Sequence, residues 1–348
     1  MKLLIVTQKV DAADSNLGFF IQWIRMFAKY AEQVTVICLE KGVYELPPNV
    51  SVFSLGKEIR KRGRSLYAFR FLRYAFSLRH TYESVFIHMN PEYAILGGLL
   101  WKLLNKRVAL WYVHKKVDAK LRLAEKYVDR IFTASKESLR LPSKKCSVIG
   151  HGIDMELFSG RRKDAAMGAK LRLLTVGRIA PVKDLRTLIL GYALLKRTGE
   201  AAELSIVGEP ITDIDLRYKQ ELAHFIEEQH VSAHVHFLGS VPFSSLPTVY
   251  NEHSAFIHAS RTGSIDKTVL EALASGLTVF TSSEAFSGGI PGVFTFTAGD
   301  SSDLATQLEL AFLKGKISYN SAGREWVREH HDLGNCIEKV ANFLSTLP

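Results

Sequence analysis

Leu173-Leu174-Thr175-Val176-Gly177-Arg178-Ile179-Ala180-Pro181-Val182-Lys183-Asp184 reads as a buried strand running into a loop that carries two cations. The apolar run opens at Leu171 and stops at Gly177, and a stretch with helical spacing follows over residues 185–198. Glycine at the strand end lets a ligand approach the backbone closely. Arg178 offers a planar fork of donors and Lys183 a mobile point charge. The pair suits a diphosphate whose departing charge needs stabilisation. Two ordinary surface cations would give the same local sequence, so both readings stand on this segment alone.

Outward from it, strand-like and helix-like segments alternate. In the second half the strands are expected at residues 171–176, 203–207, 235–238, 255–259 and 278–281, with a short one near 292–297. Helices are expected at 185–198, 216–229, 246–252, 268–275 and 302–314, and an amphipathic helical stretch at 321–347. The first half has strands at 3–7, 34–39, 50–55, 84–88, 108–113, 130–134 and 146–149, and a helix at 17–31. Such alternation implies parallel sheets covered on both faces. At roughly 100–200 residues per domain, 348 residues make two. The expected fold class is α/β, two doubly wound domains of similar size facing a cleft. Their bounds are 1–155, 156–330 and a C-terminal helix, 331–348, that packs back on the first domain. The best linker is residues 150–169. Ligands of such sheets sit outside the carboxyl ends of the strands.

A second segment there is Ser260-Arg261-Thr262-Gly263-Ser264-Ile265-Asp266-Lys267-Thr268-Val269-Leu270-Glu271. An apolar strand enters a Gly/Ser/Thr loop, and a helix begins near Thr268. Free N–H groups at a helix start form a phosphate site. Glu271 lies one turn in, able to accept from a ribose diol or simply to favour the helix start electrostatically. Asp213-Ile214-Asp215 could hold a divalent ion against phosphates. It stands just before the helix expected at Leu216, so capping is the preferred reading.

Cys38, Cys146 and Cys336 are too scattered for a disulfide framework or a zinc site. Residues 3–7 are too short for a signal core, and residues 93–104, broken by Lys102, are too short to span a bilayer. A cytoplasmic protein, peripheral at most on the inner face of a membrane, is expected. Residues 1–155 hold 26 Lys and Arg against 13 Asp and Glu, and the remainder 19 against 22. The basic excess therefore belongs to the first half. It peaks at residues 57–80, where Arg60, Lys61, Arg62, Arg64, Arg70, Arg73 and Arg79 interleave with Tyr67, Phe69, Phe71, Tyr74 and Phe76. An anionic membrane surface fits this pattern. A nucleic-acid partner is ranked below it, and a core helix with a solvated basic face is equally consistent.

The two motif segments, in this order, resemble the retaining glycosyltransferases of family 4, whose fold is GT-B. Val207-Gly208 and Phe237-Leu238-Gly239-Ser240-Val241-Pro242 stand where that family lines its base pocket, and Gly152-Ile153-Asp154 resembles its hinge. The resemblance implies a nucleotide-sugar donor, UDP- or GDP-linked, and transfer to a glycan, lipid-linked or envelope acceptor. It also implies no metal and no other cofactor. Donor contacts would come from Gly177, Arg178, Lys183, Gly208, Leu238, Gly263, Ser264, Ile265, Val269 and Glu271. His114, just past a strand end, resembles the histidine that faces the donor sugar, and with Arg178 and Lys183 it completes the implied catalytic set. Asn16, Gly18 and His88 would lie on the acceptor side. One departure is clear: the family's Glu-x7-Glu is met by Glu271 only, with Gly263 in the first place and Ser264 and Asp266 as the nearby polar groups. A nicotinamide oxidoreductase is disfavoured because no G-x-G-x-x-G follows either first strand. An epimerase-like or purely sugar-nucleotide-binding protein of the same fold remains the alternative.

Overall fold

The computed structural model describes residues 1–61, 63–159, 170–261 and 265–346. Its chain divides into two compact units, Met1–Asp154 with His331–Pro348, and Met155–His330.

The first unit alternates β1 (Lys2–Val10), α1 (Phe20–Tyr30), β2 (Gln33–Lys41), β3 (Val50–Ser54), α2 (Arg64–Ser77), β4 (Ser84–His88), α3 (Pro91–Leu103), β5 (Arg107–Trp111), α4 (Ala119–Glu125), β6 (Arg130–Thr133) and β7 (Cys146–Val148). Its seven strands are parallel, in the order β3-β2-β1-β4-β5-β6-β7. The second unit holds β8 (Leu171–Val176), α5 (Leu185–Arg197), β9 (Ala202–Val207), α6 (Asp213–Glu228), β10 (Val235–Gly239), α7 (Leu246–Asn251), β11 (Ala255–His258), α8 (Lys267–Ala274), β12 (Thr278–Thr281), β13 (Val293–Thr295), α9 (Ser301–Leu313) and α10 (Ser321–His331). Its six strands are also parallel, ordered β10-β9-β8-β11-β12-β13. Strand order therefore reverses between β1 and β4 in one unit and between β8 and β11 in the other. Loops part at such a reversal and leave a crevice at the carboxyl edge.

Burial follows the strand pattern. The central strands read as continuous apolar runs because helices cover both faces. Leu3, Ile5, Val34, Val36 and Phe86 face α1. Leu4, Val6, Val85 and Ile87 face the layer of α2, α3 and α4. In the second unit, Leu173, Leu204, Ile206 and Ile257 pack with Leu188, Tyr192, Phe225 and Leu304.

Three expectations are corrected and one is refined. The C-terminal stretch is two helices, α10 and α11 (Leu333–Ser345), because Asp332 leaves the helical region and caps α11 through the Asn335 N–H. Ile153 bonds to the backbone on both sides of that break, to the His331 carbonyl at 2.7 Å and from the Leu333 N–H at 2.9 Å. The helix after β1 starts at Phe20 rather than Leu17, since Asp14 folds Asn16 and Leu17 into a turn by accepting their N–H groups. Asp213 and Asp215 lie inside α6: Thr212 caps it and Asp215 returns the bond in a capping box. Part of the expected linker is core, with Ile153, Met155 and Phe158 buried. Its residues 160–169 lie outside the described residues.

Candidate functional site

Three neighbouring strands of the second unit end on glycine: Gly177 after β8, Gly208 after β9 and Gly239 at the end of β10. All three have positive φ, at 149°, 135° and 74°. The Gly177 N–H donates to Val207 O at 2.9 Å and the Gly208 N–H to Gly239 O at 2.8 Å. A Cβ on Gly208 would stand 1.9 Å from the Gly177 carbonyl oxygen. No side chain fits there, so backbone meets backbone at the sheet edge.

From Gly177 the chain passes exposed Arg178 and buried Ile179 and Ala180 into a short turn, Pro181–Lys183. The loop after β11 lies against this one. The Arg261 N–H donates to Val182 O at 3.0 Å, and the Arg261 guanidinium grips Asp184 Oδ2 at 2.9 Å. Lys183 Nζ reaches Asp266 Oδ2 at 2.6 Å. His258 Nε2 meets the same oxygen at 2.7 Å, and His258 Nδ1 pairs with Thr281 Oγ1 at 3.0 Å. Burial alone would raise the Asp266 pKa. The charge of Lys183 and the bond from His258 more than offset it and hold the carboxyl well below the usual range. Asp266 opens α8 without capping it, since its carboxylate is turned to Lys183 and His258.

The two motif cations are thus adjacent to acids rather than bare. Arg178 Nε lies 3.9 Å from Asp215 Oδ2. Burial would raise the Asp215 pKa, but bonds from Thr212 and Ile211 and the Arg178 charge carry it below its ordinary value. Lysine has three donors and arginine five, so each keeps capacity for a ligand while its partner fixes its direction.

Glu271 is 2% exposed, and both its oxygens are engaged. Oε1 accepts from Lys267 Nζ at 2.8 Å and Oε2 from the buried Tyr250 hydroxyl at 3.1 Å. Glu271 is thus held from below, and its oxygens keep spare lone pairs. Val269, at 0%, and Ile265 are buried. Leu238 is exposed and Gly208 half-buried. Gly263 and Ser264 lie outside the described residues.

In the first unit, Asn16 is exposed in the turn before α1 and Gly18 is buried beside it. His88, ending β4, is buried, stacked on Phe20 at 4.0 Å and bonded to Thr7 Oγ1 through Nδ1 at 3.2 Å. Its ring braces the sheet end. His114 is exposed, and its Nδ1 accepts the Lys116 N–H at 3.0 Å. The sequence reading missed His258, the Asp184–Arg261 pair and Tyr250. A histidine closing the apolar strand Ala255–His258 was a usable signal; Tyr250 gave none.

Comparison with known proteins meets this geometry at the same segment. Residues 159–297 match the family model of the glycosyl transferases group 1. The amylovoran biosynthesis glycosyltransferase AmsK of Erwinia amylovora is 27% identical over 170 residues, 47% of this chain and 39% of that protein. Among solved structures, Anabaena HepE in complex with UDP and glucose superposes with a TM-score of 0.76 at 17% identity, covering 100% of both chains. Sucrose-phosphate synthase from Thermosynechococcus elongatus gives 0.78 at 16% identity, covering 98% of each. The fold is GT-B.

Proposed function

We propose that the protein is a retaining glycosyltransferase that moves a hexosyl group from a UDP-sugar, or a GDP-sugar, to a hydroxyl of a glycan, lipid-linked or envelope acceptor. The observation that carries this reading is the joining of the loops after β8 and β11 through Lys183–Asp266 and Arg261–Val182. They flank the strand reversal and fall inside the segment that matches the family. Two supports come from similar proteins: HepE was solved with UDP and glucose, and AmsK is named as an amylovoran biosynthesis glycosyltransferase.

In this reading the diphosphate lies over Gly177 and Gly208, where no Cβ keeps it away. Arg178, Lys183 and the first N–H groups of α8 stabilise the charge that develops as the glycosidic bond breaks. Glu271 accepts from the ribose, and Leu238 flanks the base. The acceptor hydroxyl attacks from the face the nucleotide leaves, and the leaving phosphate takes its proton. His114 bonds a sugar hydroxyl. These cations serve in place of a divalent ion, so EDTA leaves the rate unchanged. Asn16 and Gly18 belong to the acceptor side. A membrane-bound acceptor fits α2, which exposes Phe69 and Phe76 beside Arg73 and Arg79.

A thermal-shift screen against nucleotide sugars, followed by a transfer assay, tests the reading. At a ligand concentration 100 times Kd, stabilisation reaches about 2.7 kcal/mol. A shift with UDP-sugars and transfer to an acceptor are expected. A shift with neither transfer nor donor hydrolysis would favour a sugar-nucleotide-binding protein, and no shift with any donor would refute both.

A further inference from the structure

The first unit contains a cavity of about 610 Å³ that none of the site residues above touches. It is lined at the amino ends of β5 and β6 and the carboxyl ends of α3 and α4, the edge opposite the strand ends where β1 and β4 part. Lys102, Lys106, Arg107, Lys126, Arg130 and Lys145 line it, and among the described residues Asp129 is its one carboxylate. That carboxylate is committed: its Oδ2 accepts the Val108 N–H at 2.8 Å. Among the described residues, no salt bridge takes in Lys102, Lys106, Lys126, Arg130 or Lys145.

Several of these cations do structural service. Lys145 Nζ donates to the Glu125 and Val128 carbonyls, Lys106 Nζ to Tyr82 O, and Arg130 to Ser147 Oγ. Carbonyl and hydroxyl dipoles satisfy hydrogen bonds, but they do not cancel net charge. Burial lowers the Lys106 pKa, and the charge of Glu83 opposes the shift without cancelling it. Like charges gathered in one concavity repel, and an anion relieves that strain.

We propose that this cavity is a binding site for a phosphate-bearing anion, separate from the donor loops. Its volume lies within the range of small-ligand pockets and exceeds a lone phosphate. Arg130 supplies a fork suited to phosphate oxygens and the lysines supply point charges. Leu99 and Leu103 on α3 and Leu123 on α4 are exposed within a turn of Lys102 and Lys126. Those apolar neighbours suit a phospholipid headgroup. A soluble phosphate ester shares the recognition chemistry.

The experiment uses the full chain carrying Arg178→Ala, so that the donor loops contribute less to the signal. Inorganic pyrophosphate is titrated calorimetrically, and co-sedimentation is measured with phosphatidylcholine vesicles with and without phosphatidylglycerol. Binding to at least one probe is expected. It should fall tenfold or more on adding Lys102→Gln with Lys126→Gln, two exposed positions that leave the core intact, and return with Lys102→Arg and Lys126→Arg. Anionic-vesicle binding identifies the lipid source, and pyrophosphate binding alone identifies a soluble one. No binding of either probe, or binding indifferent to the glutamine changes, overturns the proposal. That outcome leaves the donor reading to be judged by nucleotide-sugar binding in the unmodified chain.

Discussion

At the residue scale, Asp266 gathers Lys183 and His258 on one oxygen and so aims the lysine. Asp266→Asn should cost about 1.5–3 kcal/mol at pH 7, the range for hydrogen bonds to a charged group. The folded pKa is depressed below the unfolded value of about 3.9. The stabilisation is therefore complete above about pH 4 and fades as pH falls toward the folded value. Urea unfolding of both proteins should show a constant gap from pH 5 to 8 and a shrinking one below 4. Gly208→Ala should destabilise by about 1–3 kcal/mol from positive φ alone, with more from the displaced Gly177 carbonyl. A melting temperature equal to that of the parent would contradict the close approach. Burial pushes the Cys38 and Cys336 thiols up to about 12. Iodoacetamide at neutral pH should leave both unmodified in the folded protein, as peptide mass spectrometry can check. The position of Arg178 and Lys183 in the loop after β8 was legible from the strand-loop-helix order. Their partners were not. Asp266 is eight residues from His258 but 83 from Lys183, and only the neighbouring of β8 and β11 unites them.

At the element scale, the strands were the legible part, since apolar runs such as Ser84–His88 and Leu171–Val176 end where backbone-permissive or polar residues begin. Helix ends were less so. The break at Asp332 is set by pairing with Ile153, a contact across just over half the chain that no local pattern records. Beyond that break, α11 places Leu333, Ile337, Val340 and Leu344 in the core beneath α1. Ile337→Ala should cost about 2–5 kcal/mol, as for other buried large-to-small changes. The loss should appear as faster hydrogen exchange in α1 and β1. Protection unchanged in those elements would mean that α11 is not part of that core.

At the scale of the whole molecule, the basic excess of residues 1–155 and the near balance of the rest give the two units different chemistry. Sequence charge revealed that asymmetry but not its arrangement, because the cavity cations come from separate segments between Lys102 and Lys145. In the second unit each candidate cation is countered by an acid, so donor affinity rests on directed donors rather than on net charge. Binding there should accordingly be less salt-sensitive than any vesicle association by the first unit. The most direct measurement is calorimetric titration of UDP, then GDP, into the full chain and into Arg178→Ala and Lys183→Ala. The account predicts saturable binding of one nucleotide by the parent, weakened tenfold or more by each change, with the melting temperature held in Arg178→Ala. Unaltered affinity in both variants would show that the nucleotide is held elsewhere.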